Sequence, residues 1–125
     1  MPRRLTLAAI SAAFLVFATA SAAAHDWYTG TQDPVTGSSC CGKADCAILR
    51  VDPGVLEGDA DGYRLRLTAE QAQAINPARR TPVDTLIPWD RVQASHDGNY
   101  HLCLPTYPTP TMRADFYCFW APPNS

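Results

Sequence analysis

The sequence predicts an α+β domain, mostly β: a small curled antiparallel sheet or barrel with one short helix, stapled by disulfides. Three observations carry that expectation. Tyr63-Arg64-Leu65-Arg66-Leu67 alternates apolar and charged residues, the pattern of a strand with one wet face. Clusters of turn formers separate several other short apolar runs. Five cysteines (Cys40, Cys41, Cys46, Cys103 and Cys118) serve a chain of only 125 residues, and small chains that cannot build a large core are often cross-linked.

Whether those cysteines are staples depends on the compartment, and the N-terminus speaks to it. Arg3 and Arg4 form a short positive region, Leu5 to Ala18 is an almost unbroken apolar run, and Ala22-Ala23-Ala24 supplies small residues at a cleavage position. This is the pattern of a secretory signal peptide over residues 1–24, followed by a single β-rich domain over residues 25–125. The apolar run is shorter than the roughly twenty residues a bilayer span needs, so no membrane span is expected after cleavage. Localisation is predicted to be periplasmic or secreted. Losing Arg3 and Arg4 leaves 8 basic residues against 12 acidic ones, a net charge of -4 instead of -2. That acidic balance argues against nucleic acid and anionic membranes as partners.

The elements follow in order. Trp27 and Tyr28, in a segment rich in turn formers, should pack as an anchor. Ala47 to Val51 is a short strand, Asp52-Pro53-Gly54 a turn, and Glu57 to Gly62 a second turn. The alternating run comes next, with Tyr63, Leu65 and Leu67 inward and Arg64 and Arg66 outward. Thr68-Ala69-Glu70-Gln71 reads as a capping box that starts a short helix. Pro77 disfavours helix at Asn76, so the helix should end near Ile75. Val83 to Pro88 is a strand. Trp89 to Ala94 leads into "SHDGNY", where Asp97-Gly98 signals a hairpin whose return strand is Tyr100 to Leu104. Pro105, Pro108 and Pro110 punctuate an extended loop. Asp115 to Trp120 is the last strand, and Pro122-Pro123 ends the fold.

With five cysteines, at most two intramolecular disulfides form and one thiol is left over. A bond between the neighbours Cys40 and Cys41 would strain a small ring, so the doublet implies two fates for its two sulfurs. Cys103 and Cys118, on the last two predicted strands, are the favoured pair, with Cys46 joined to Cys40 or Cys41. The rival arrangement ties each late cysteine to the early cluster. Structural zinc competes, but the spacing from Cys41 to Cys46 is loose and His101-Leu102-Cys103 is too tight for a paired ligand cluster. No CxxC redox motif is present.

The stretches "HDWYTG", "CCGKADC", "IPWDRV", "DGNYHLC" and "YCFWAPP", taken in that order, resemble a family of small, uncharacterised secreted proteins of Gram-negative bacteria. The likeness covers nearly the whole chain after residue 24. It implies a shared fold and export, and assigns no catalytic residue.

Three function classes remain. His101 and Cys103 fall on one face of a strand, which invites a Cys–His nucleophile, yet the sequence shows no means of lowering the thiol pKa and no oxyanion hole. Asp26, Asp33, Asp45, Asp90 and Asp97 sit mostly beside turn residues and read as caps. Cleavage after Ala24 would expose the amine and imidazole of His25, which together with His96 or His101 form a candidate copper site. Trp27, Trp89 and Trp120 read as core before they read as contact residues. The reading that fits best is a disulfide-stabilised binding or structural protein, non-catalytic, whose partner is a protein or an envelope ligand. A copper-binding protein using His25 and His101, and a periplasmic enzyme inhibitor, are the alternatives.

Overall fold

The computed structural model describes residues 27–40, 44–109 and 113–123. The predicted signal segment, His25 and Cys41 lie outside the described residues. Among those residues the elements are β1 (Cys46–Ile48), β2 (Leu56–Gly58), β3 (Gly62–Leu67), α1 (Ala69–Ile75), β4 (Val83–Pro88), β5 (Val92–Ala94), β6 (His101–Cys103) and β7 (Cys118–Ala121), with a 3₁₀ turn at Trp89–Arg91.

The alternating run forms β3, the centre of an antiparallel sheet ordered β2-β3-β4. Tyr63, Leu65 and Leu67 are buried, while Arg66 is exposed and Arg64 half-buried. Leu65 lies opposite Leu56 on one side and Thr85 on the other. On the wet face, Arg64 and Arg66 meet Asp84 and Glu57 at 3.5 to 3.9 Å; exposed pairs of this kind contribute about 0–1 kcal/mol each. β3 has to start at a glycine, because a Cβ on Gly62 would stand 2.0 Å from the Ile87 carbonyl oxygen.

α1 forms where its caps place it. The Thr68 hydroxyl accepts from the Gln71 amide and the Gln71 side chain accepts from the Thr68 amide, the reciprocal capping box. Ala72 and Ile75 are buried, and the helix stops at Asn76, which is extended. Asn76 does more than end the helix. Its buried side-chain amide donates to the Leu104 carbonyl at 3.0 Å and to Asp45 and Thr106 at 3.3 Å, tying the helix end to the segment that follows β6 and to the one before β1.

The second sheet runs β1-β6-β7-β5, antiparallel except that β5 and β7 are parallel. Two expectations are corrected here. Asp97-Gly98 does turn the chain, with Gly98 at φ 77°, but the strands on either side do not form a hairpin because β7 lies between β5 and β6. Local turn chemistry cannot exclude a strand that arrives later in the sequence. Glu57, predicted in a turn, pairs with Arg64 inside β2, and the turn is confined to residues 59–61. The α+β, mostly β class holds, built as two sheets instead of one curled sheet.

The main core lies between the sheets and α1. Leu65, Ile87, Leu102, Leu104 and Phe119 are all fully buried there; each contributes about 1.5–3 kcal/mol. A second cluster joins Tyr28, Cys40, Cys46, Cys103, Cys118 and Trp120.

The disulfides in that cluster correct the favoured pairing. Cys40 is bonded to Cys118 and Cys46 to Cys103, so Cys103–Cys118 does not form and Cys46 does not bond within the early cluster. Cys103 and Cys118 are nonetheless direct register partners across β6 and β7, and Cys46 faces Cys103 from the other side. Cys103 therefore has a cysteine on each neighbouring strand. It bonds to Cys46, because the N-terminal segment folds over β7 and delivers Cys40 to Cys118, with Cα atoms 5.3 Å apart. No helix among the described residues is long and apolar enough to cross a membrane.

Candidate functional site

The sequence candidates gather at the second cluster, and their geometry is structural. His101 on β6 is fully buried. Its Nε2 lies 2.6 Å from Asp97 Oδ1, and its Nδ1 is bonded to the Tyr28 hydroxyl. A carboxylate only accepts, so Nε2 carries the proton, and in the neutral imidazole Nδ1 then accepts from the Tyr28 O–H. Trp27 caps the group, edge-on to His96, His101 and Trp120 at centroid distances of 5.2, 4.9 and 5.1 Å. The order Asp–His–Tyr has the look of a relay, but its chemistry runs the other way. Burial, reinforced by the negative charge of Asp97, pushes the Tyr28 phenol up to about 12. A useful nucleophile or base needs the opposite shift. Asp97 is held below the usual carboxylate range, chiefly by the hydrogen bond from His101. The unit works as a clasp that pins the N-terminal segment to β6.

The other candidates fall into place around this clasp. Cys103 is in a disulfide and offers no thiol beside His101. Both ring nitrogens of His101 already have protein partners, so a metal would have to displace one of them. His25 lies outside the described residues. No group of three or more His, Cys, Asp or Glu side chains among the described residues is arranged to hold a metal. Trp120 is core, whereas Trp89 is 46% exposed and donates its indole N–H to the Ala60 carbonyl. Among the aspartates Asp45 accepts from Asn76. Asp33 both caps a turn, accepting from the Val35 and Thr36 amides at 2.9 Å, and pairs with Arg91.

Two buried ion pairs escaped the sequence reading. Arg79 is fully buried and bonds bidentately to Asp115, at 2.8 and 2.5 Å, while donating to the carbonyls of Thr81, Pro82 and Pro105. Arg91 donates Nε to Asp33 at 2.7 Å and Nη2 to the Tyr117 carbonyl, and its guanidinium lies over the Phe116 ring at 3.9 Å. Burial pushes the Asp33 carboxyl up, but the Thr36 amide, the Arg91 guanidinium and the Val35 amide outweigh it and hold the group below its ordinary value. Each pair joins residues at least 36 positions apart, and no local pattern signals such a partner.

Arg91, held by Asp33, also lines a groove. Thr36, Ser38 and Ser39 line it together with Arg113, Ala114, Phe116 and Tyr117, around a volume of about 420 Å³. A second hollow of about 230 Å³ shares Thr36, Arg91, Arg113 and Ala114 and continues along Thr85, Leu86 and Pro88 to Asp90. The hydroxyl wall is held firmly. The Asp33 amide donates to the Ser38 carbonyl and the Gly37 amide to the Asp33 carbonyl, each at 2.9 Å. Gly37, at φ 68°, supplies the left-handed residue that this turn requires. Arg113 is exposed at the groove and takes no carboxylate partner among the described residues, whereas Arg50, Arg64, Arg66, Arg79 and Arg91 all do.

No family model matches the chain, no curated protein is detectably similar to it, and no solved structure matches its fold.

Proposed function

We propose that the protein is an exported binding protein of the periplasm or extracellular space, acting by holding a ligand and not by turning one over. Its two disulfides are the chemistry of an oxidising compartment, and the N-terminal charge and hydropathy pattern agrees with export. The observation that carries the binding reading is the groove at Arg113. A concave surface with convergent polar groups, an aromatic wall and a rigid frame is what ligand sites have in common. Pairing of Arg91 with Asp33 removes one charge from the groove, which leaves Arg113 as its cation without a carboxylate partner among the described residues.

Retention of envelope components on immobilised protein tests this. Wild-type protein should retain a component that Arg113→Glu releases. Arg80→Glu, at an exposed arginine whose bonds run to the Pro77 and Arg79 carbonyls, should retain it as the wild type does. Equal retention by wild type and Arg113→Glu would remove the groove from the function.

A further inference from the structure

We infer that the Arg113 groove recognises a single oxyanion, a carboxylate or a phosphate, attached to a planar or apolar moiety. The inference rests on the binding reading above and assigns the ligand its chemistry.

Charge decides the sign of the ligand. The chain is acidic as a whole, yet this groove carries one net positive charge, because Asp33 neutralises Arg91 and nothing described neutralises Arg113. A ligand with a second anionic group would meet Asp90 at the far end of the adjoining hollow, which favours one anionic head over several. The donor set decides the head group. A guanidinium presents parallel N–H groups that fit two oxygens of a carboxylate or phosphate, which a point-like cation does not. In the same lining, the Thr36 hydroxyl accepts from the Ser38 amide at 3.3 Å and donates to no described residue, so its proton is available to a ligand, and the Ser38 hydroxyl lies two residues on. Arg91 adds to this: it is nine-tenths buried, and with Nε and Nη2 committed, its Nη1 carries no bond to a described residue.

The remaining wall decides what the head is attached to. Phe116 is fully buried beneath the Arg91 guanidinium and backs the groove, while the half-buried Ala114 and Tyr117 supply the lining surface a ligand body would touch. An aromatic or aliphatic body placed there loses water at little ordering cost, because the Asp33–Arg91 pair and the Cys40–Cys118 bond already fix both walls.

The experiment uses four probes on the full exported protein: inorganic phosphate, acetate, benzoate and neutral benzamide. Backbone amide shifts of Thr36 to Ser39 and Arg113 to Tyr117 are followed by NMR. The expected result is saturable movement with benzoate, weaker movement with acetate or phosphate, and none with benzamide. Arg113→Gln should weaken benzoate binding at least tenfold, and Arg113→Lys should recover part of the loss. Phosphate binding tighter than benzoate would overturn the planar or apolar part of the inference, because inorganic phosphate carries no such body. The inference is overturned if benzamide binds as well as benzoate, if Arg113→Gln binds the anions unchanged, or if no anion moves these signals. In each case an envelope component that Arg113→Glu still releases would leave the binding reading standing with a different ligand chemistry.

Discussion

The two ends of this domain are held by different means. At one end, β2, β3, β4 and α1 are contiguous in sequence, pair with their neighbours in order, and bury Leu65, Leu67, Ile75 and Ile87 in an ordinary apolar core. At the other end, segments from residues 27–40, β1, β6 and β7 meet across most of the chain length and are joined by covalent bonds, a buried histidine clasp and a buried ion pair. The first end is stabilised by periodicity, the second by specific long-range partners. The groove belongs to the second end, where one wall would be a loose segment without those partners.

The comparison is broken most forcefully by removing a staple. Cys40→Ser with Cys118→Ser opens a span of 78 residues, of which the nested Cys46–Cys103 bond still closes 57, so the loop released is the difference, about 21 residues, and chain entropy gives a loss of about 3 kcal/mol. The favoured but absent Cys103–Cys118 bond would have supplied about 3 kcal/mol in the same treatment. Hydrogen exchange should show protection falling first over residues 28–40, with β3 and β4 retaining theirs. Simultaneous loss at both ends would show that they unfold as one unit and that the division drawn here is wrong.

Leu65→Ala tests the other end. Leu65 is fully buried at the middle of the central strand, so chemical denaturation should register a loss of about 3 kcal/mol. An unchanged midpoint would mean that β3 is not the keystone of its sheet.

Alkaline pH acts on the clasp through Tyr28. The folded-state Tyr28 pKa, about 12, lies above its ordinary value of 10.0. Its contribution to stability is therefore complete below pH 10 and is lost as the pH rises toward 12; each unit corresponds to about 1.4 kcal/mol, so the span is on the order of 2 kcal/mol. Wild-type protein should lose that amount relative to Tyr28→Phe between those two pH values, measured by denaturation at each. Parallel curves would remove the phenol from the account.

Legibility follows the same division. The face assignment of Tyr63 to Leu67, the Thr68–Gln71 capping box, the helix end before Pro77 and the strand Val83–Pro88 could all be read from residues a few positions apart, and the structure agrees with each. These features rest on side-chain periodicity and on backbone donors near in sequence, which composition at that spot determines. The Asp97-Gly98 turn was legible, but its hairpin was not, because β7 enters between the two strands from more than 20 residues downstream. The cysteines declared a stapled domain but not its connectivity. Cys103 has a cysteine on each side in the sheet, and which one it bonds depends on where the segment carrying Cys40 packs. Arg113 and Arg91 have the same side chain and differ in that, among the described residues, a distant carboxylate reaches only Arg91. Sequence by itself determined the class, the central strand and the helix, where the energetics are local. Tertiary structure alone decided the disulfide pairs, the role of His101 and the site, because each depends on contacts that exist only once residues far apart in the chain have been brought together.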